Sequence, residues 1–230
     1  MLEYILNNYY ICFYFIALVL SITKYRLYYD TILKYLPIIL SYVLLSEILG
    51  AIVRDVDDIQ LVYIPEYYNY NTIIFNIFDI VFYLYFFYIF YQLIENKRSR
   101  ILIKYGGVLF LLTCIVNLFL QDFYTEPQNY AIIAGAIVLI FACLTYLYKI
   151  FTEEQKFIPR KNLLFWISLG LLMFYICYPI SMYILSFDYQ LYTTYNLSKY
   201  HYISIATMYL CFIIGFLSMR RLRLPMRQTN

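Results

Sequence analysis

The chain has 230 residues, 64% of them hydrophobic and only 13% charged, with a net charge of +3 and a mean hydropathy of +0.69. A soluble domain carries roughly 25% charged residues, and one small globular core cannot hide this much apolar surface. The composition excludes an ordinary soluble domain and leaves the bilayer as the solvent. The apolar set is itself skewed, with 31 Tyr and 19 Phe against 6 Gly. AT-rich codons, shared by Tyr, Phe, Ile, Asn and Lys, account for that bias in an AT-rich bacterial genome. The functional alternative is an aromatic-lined pocket. Each tyrosine packs like a phenylalanine and brings a hydroxyl that needs a partner.

A bilayer core about 30 Å thick needs about 20 apolar residues per helix, and seven such runs are expected. The first, 7–23, follows a stretch with no basic region, and no small-residue cleavage site succeeds it. It is expected to stay as a helix rather than act as a removable signal. The second, 35–53, carries Glu47 and ends beside Arg54. The loop beyond holds Asp55, Asp57 and Asp58. It lacks the ligand spacing and glycine of a calcium loop, so it reads as a solvated acidic loop without a metal.

The third run, 72–94, places Asn76, Asp79 and Tyr83 on one face, at spacings of three and four. The fourth, 101–120, aligns Thr113 and Asn117 with Gln121 just past its end. The fifth, 130–150, has a small-xxx-small pair, Ala131 and Gly135, suited to close helix packing. The sixth, 163–186, carries Tyr175, Tyr178 and Ser181 around Pro179, which interrupts the hydrogen-bond ladder and marks a hinge. The seventh, 201–219, begins at His201 and bears Ser204 and Thr207. Cys12, Cys114, Cys143, Cys177 and Cys211 are spread over five runs without CxxC spacing, so they read as small buried hydrophobes. The connections are short. Residues 1–230 are expected to form a single domain, an all-α seven-transmembrane-helix bundle.

Fifteen basic residues fall on one side of this arrangement, in the loops around Lys24, Arg26, Lys34, Lys97, Arg98, Arg100, Lys104, Lys149, Lys156, Arg160 and Lys161 and in the tail from Arg220 through Arg221, Arg223 and Arg227. Only Arg54 and Lys199 fall on the other. By the positive-inside rule the first side is cytoplasmic, which puts the N-terminus outside and the C-terminus in the cytoplasm. The outer side is acidic, with Glu3, Asp55, Asp57, Asp58, Glu66, Asp122, Glu126 and Asp188.

Charged side chains inside a span are costly and mark function by default. Glu47 lies seven residues below the outer end of its helix, about 10 Å deep, and Asp79 sits at a similar depth. Asn76, Asn117, Tyr83, Tyr175 and Ser204 lie with them in the outer half and complete the candidate ligand-binding or coupling residues, with Pro179 as the hinge. Close together, the two carboxyls could share a proton or bind a cation. Bonding among these groups across helices is the structural alternative. The inner halves are apolar apart from tyrosines.

Enzyme chemistry finds no support. His201 is the only histidine, and HExxH, GxSxG and a glycine-rich phosphate loop are all missing. No cofactor and no nucleic-acid partner are expected. Rhodopsins share the seven-helix, N-out layout, but the last span holds no lysine for retinal. The DRY and NPxxY motifs of G-protein-coupled receptors are missing too, and the proline-bearing repeats of SWEET sugar transporters do not recur. The strings NIFDIVFYLYFFYIFY (76–91) and FWISLGLLMFY (165–175) resemble those of small uncharacterised seven-helix inner-membrane proteins of Bacteroidota associated with signalling genes. The resemblance implies a sensory role in a bacterial inner (cytoplasmic) membrane.

The expectation is therefore a receptor-like protein with an outward-facing polar pocket for a small ligand or cation. It would signal through a separate cytoplasmic or membrane protein partner at the basic inner loops. A small transporter or proton-coupled permease using Glu47 and Asp79 is the alternative reading. A structural or assembly subunit of a larger membrane complex is the third.

Overall fold

The computed structural model describes residues 9–152 and 159–220. Glu3, Lys156, Arg221, Arg223 and Arg227, used above to assign sides, lie outside the described residues. The described chain is helical: α1 (Tyr10–Thr23), α2 (Leu36–Asp55), α3 (Thr72–Leu93), α4 (Lys97–Asn117), α5 (Asn129–Thr152), α6 (Leu163–Phe187), the short α7 (Tyr189–Thr194) and α8 (Leu197–Ser218). Six of these, α2 to α6 and α8, are long and apolar enough to cross a membrane, and α1 is an apolar helix of 14 residues. The protein is a helical, multi-pass membrane protein.

Local cap chemistry sets the ends that hydropathy misjudges. The Asn96 side chain accepts from Arg98 N at 2.9 Å, so α4 starts at Lys97 and carries its basic residues on its first two turns rather than in a loop. Asn162 caps α6 in the same way, accepting from Leu164 N at 3.0 Å. Asp188 accepts from Leu191 N at 2.9 Å and starts α7, a helix the apolar pattern gives no sign of.

The helices close into a ring. Helix α1 packs between α2 and α8, α3 lies between α2 and the α4–α5 pair, and α6 bridges α5 to α8 in the most extensive pairing of the bundle. Helix α4 is the least buried of the long helices and α6 the most.

Pairings at the two ends show how the helices alternate. Tyr10 stacks on Tyr202 with centroids 4.7 Å apart, Asn71 donates to Gly50 O at 2.9 Å, and Asn129 donates to Ser186 Oγ at 2.7 Å. These contacts gather one end, where Asp55, Asp57, Asp58, Glu66, Asp122, Glu126 and Asp188 lie. At the opposite, basic end Lys149 pairs with Glu95 at 2.7 Å and Asn162 donates to the Tyr146 hydroxyl at 3.0 Å.

The middle and basic half of the bundle is packed with rings. Phe82, Phe86 and Phe90 recur every fourth residue on α3 and are essentially fully buried, as are Tyr28, Phe212 and Phe216. Around the outside, Ile38, Leu45, Leu109, Ile137 and Ile180 are each more than half exposed, an apolar perimeter that suits lipid rather than water. Cys114, Cys143 and Cys211 are buried, but Cys12 and Cys177 are exposed on this perimeter, a correction to the uniform burial expected of all five. Gly135 has a specific task. A Cβ there would meet the Tyr83 ring at 2.9 Å, so the small-residue pair on α5 admits a ring from α3 rather than a second backbone.

Candidate functional site

Two carboxyls from different helices reach one cavity. Glu47 on α2 and Asp79 on α3 both line a space of about 70 Å³, walled by aromatic side chains of α1, α3, α6 and α8. The Tyr14 hydroxyl donates to Glu47 Oε1 at 3.2 Å, and the Tyr178 hydroxyl donates to Asp79 Oδ2 at 2.6 Å. No ion pair reaches either carboxyl among the described residues. Each acid is thus met by a neutral donor that orients it, and Arg54 acts on Glu47 electrostatically without a direct ion pair.

A second cavity of about 330 Å³ lies toward the acidic end, bordered by Arg54, Asn71, Asn76 and Tyr192. The two cavities share Glu47, Phe75, His201 and Ile205 in their walls, so they adjoin at the level of Glu47, the larger one toward the acidic end. Arg54 grips Asp55 through Nε at 2.8 Å and Nη2 at 3.0 Å. Near the mouth, burial pushes the Tyr192 phenol above its ordinary value. His201 packs its ring 5.5 Å from Tyr178 and 6.0 Å from Phe174, and its buried Nδ1 has no hydrogen-bond partner in the protein. Below the carboxyls come Phe82, Tyr175, Met208 and Tyr209, then the packed rings of the basic half.

The sequence-derived candidates divide into two groups. Glu47, Asp79 and Tyr175 line the lower cavity and Asn76 the upper one. Tyr83, Asn117 and Ser204 line neither. Tyr83 is fully buried and donates to Ile132 O at 3.0 Å. Asn117 is also fully buried and accepts from Tyr130 N and Ala131 N. Ser204 donates to His201 O in its own helix at 2.7 Å. Asn76 itself is largely committed, since its amide nitrogen donates to Phe123 O at 2.9 Å and Glu126 O at 3.0 Å, and its oxygen accepts from Gln128 N at 3.3 Å. It staples α3 to the α4–α5 connection.

Pro179 lies inside α6, which runs unbroken from Leu163 to Phe187. With no N–H at 179, the Tyr175 carbonyl loses its intrahelical donor, one turn from Tyr178 and its bond to Asp79.

No protein-family model, curated protein or solved structure matches the chain. The site has to be read from its own geometry.

Three wall residues escaped the sequence reading as site residues: Tyr14, Tyr178 and His201. A weak signal exists for Tyr14, because Tyr10, Tyr14, Ala17 and Ser21 follow a 4-3-4 spacing on α1 and all four are buried. His201 stood out only as the single histidine.

Proposed function

We propose that the chain is a receptor-like, seven-helix protein of a bacterial inner membrane. It takes a small ligand or cation into a pocket open to the outside and signals through a separate protein at its basic, cytoplasmic end. The observation that carries this reading is the pair Glu47 and Asp79, set on the wall of one cavity that adjoins a second, larger one toward the acidic end and has packed aromatic rings below it. A receptor needs a site whose occupancy shifts helix positions, whereas a transporter must open that site to both sides in turn.

The seventh crossing in this reading is α1. Its 14 residues rise about 21 Å, short of the bilayer core. Contacts nevertheless run along its whole length, from Tyr10 on Tyr202 to Ser21 O, which accepts from the Tyr28 hydroxyl at 2.6 Å. The orientation rests on the positive-inside rule. Exposed Arg26, Lys97, Arg98, Lys104 and Arg160 at the basic end form the surface a cytoplasmic partner would meet.

Orientation is tested on intact cells with a membrane-impermeant maleimide. Glu126→Cys is expected to label from outside and Arg98→Cys only after lysis. The reverse pattern would invert every statement of depth.

Access to the pocket separates receptor from transporter without knowledge of the ligand. Asn71→Cys, on the wall of the upper cavity, is expected to react with an impermeant thiosulfonate from outside. Phe86→Cys and Phe90→Cys, in the fully buried plug, should be protected from both sides. Reaction at Phe86→Cys or Phe90→Cys from the cytoplasmic side would reveal an inward-open state and make the permease reading correct.

A further inference from the structure

We infer that the adjoining cavities take a small organic ammonium ion, with its charged head between Glu47 and Asp79 and its substituents against the aromatic wall. This inference rests on the outward-pocket reading above and names the chemistry of what enters it.

Charge supplies the first argument. A buried charge is ordinarily paired, yet Glu47 and Asp79 receive only the hydroxyls of Tyr14 and Tyr178. No Lys or Arg side chain lines the lower cavity, and within the described residues only Arg54 acts on Glu47, from the upper one; an entering cation would let both carboxyls carry their charge there. Arg54, the basic side chain in the wall of the upper cavity, is gripped by Asp55.

The wall supplies the second. Eight Tyr and Phe side chains line the lower cavity. Aromatic faces attract cations through the ring quadrupole, and organic ammonium ions are the ligands that exploit this most fully. A calcium ion instead needs six to eight oxygen ligands. Among the described residues no group of three or more His, Cys, Asp and Glu side chains is placed to hold a metal ion.

Donor geometry supplies the third. A primary ammonium carries three N–H donors, and the walls offer three acceptors not supplied by one another: the two carboxyls and His201 Nδ1, which is buried without a partner. His201 lines both chambers, so its imidazole stands where the head enters the lower space. This role requires the tautomer with the proton on Nε2.

Size supplies the last. A space of about 70 Å³ holds a few water-sized groups, which suits an ammonium head and its nearest carbons. The upper chamber of about 330 Å³ accommodates the remaining substituents.

The test uses the purified full chain in lipid nanodiscs at neutral pH, with n-butylammonium as the probe and n-butanol and butyrate as neutral and anionic matches of the same length. Butylammonium is expected to raise Tm progressively with concentration, as a ligand of the folded state must, while butanol and butyrate leave it unchanged. Asp79→Asn and Glu47→Gln are each expected to weaken the apparent affinity by about 10- to 100-fold, the loss of one charge-assisted hydrogen bond. Tyr178→Phe removes a hydroxyl but keeps the carboxyl, and should still bind butylammonium.

Should the acid variants fail to fold, the comparison of three probes on the unaltered chain still decides. Equal stabilisation by butanol, or no response to butylammonium, overturns the ammonium inference and leaves the outward pocket standing on the cysteine accessibility result. Selective binding of butylammonium together with a Phe86→Cys that reacts from the cytoplasmic side has the opposite meaning: the ligand class holds and the receptor reading falls.

Discussion

Gly170→Val is expected to leave little folded protein, whereas Gly107→Ala is expected to be tolerated. Both positions are glycines inside apolar helices, but their surroundings differ. A Cβ at Gly170 would lie 2.8 Å from the Met208 carbonyl oxygen, 3.1 Å from Cys211 Cβ and 3.3 Å from Met208 Cα. Two of those atoms are backbone, so no side-chain rotation relieves the clash and α6 must move off α8. In lipid these helices are held by packing rather than by a hydrophobic drive, and this is the most extensive pairing of the bundle.

Overpacking of a core typically costs about 1–3 kcal/mol, and a clash against backbone belongs at or above the top of that range. A fold with about 5–15 kcal/mol to lose is badly weakened. At Gly107 the nearest atom to an added Cβ is Phe87 Cδ2 at 3.5 Å, an ordinary contact, and alanine is the better helix former by about 1 kcal/mol. Thermal unfolding in detergent, followed by size-exclusion chromatography, makes the comparison. A Gly170→Val protein that elutes and melts like the parent would show that α6 and α8 are not fixed by this approach. The outcome bears on the site as well, because α6 carries Tyr175 and Tyr178 while α8 carries His201.

The long helices were legible because a bilayer-length apolar run is a property of composition. The expected 35–53, 72–94, 130–150 and 163–186 sit within two residues of α2, α3, α5 and α6 at each end. What hydropathy could not convey was cap chemistry. Asn96 starts α4 four residues before its apolar run, and Asp188 starts α7 with no apolar run at all.

The site was legible in its acids and opaque in their partners. Depth can be counted along a helix, and counting set Glu47 and Asp79 at one level. Which tyrosine meets which acid depends on how each helix is rotated, and helices that are apolar on every face carry almost no periodic signal of rotation. Tyr14 was therefore hidden among 31 tyrosines, and Tyr178, though placed beside Pro179, carried no sign that it meets Asp79. Asn76, Asn117 and Tyr83 drew attention because polar groups inside a span are costly. In sequence, nothing distinguishes an amide that meets a ligand from one that meets the backbone of the next helix. All three bond backbone groups of the α4–α5 connection or α5.

Replacing Asn117 by leucine is the second substitution with a large expected effect, and it follows from that difference. The first four backbone N–H groups of any helix lack partners within the helix, and at membrane depth no water substitutes for them. At the start of α5 the end of α4 supplies most of what is missing. Asn129 N donates to both Gln121 Oε1 at 3.0 Å and Pro127 O at 2.9 Å, Tyr130 N and Ala131 N donate to Asn117 Oδ1 at 3.1 and 3.4 Å, and Ile132 N donates to Gln128 O at 2.9 Å. Asn117 Nδ2 also donates to Gln121 Oε1 at 2.9 Å, so one side chain caps two amides and orients the group that caps a third.

Leucine has nearly the same volume and no acceptor. Two buried N–H groups would be stranded, at about 1–3 kcal/mol each, and Gln121 would lose its orienting bond. Gln121→Leu leaves Asn129 N its bond to Pro127 O at 2.9 Å, strands no N–H, and should cost clearly less. Asn117→Asp keeps the acceptor for Tyr130 N and Ala131 N, near a helix N-terminus that favours negative charge, but it buries a charge and sets an oxygen against Gln121 Oε1. It should keep amides 130 and 131 protected while still lowering Tm. Hydrogen exchange read by mass spectrometry localises the effect. Amides 129–132 are expected to lose protection in Asn117→Leu while those along α6 and α8 keep theirs. Unchanged exchange at 129–132 with an unchanged Tm would show that α5 does not depend on this cap, and would return Asn117 to the list of residues free to serve a ligand.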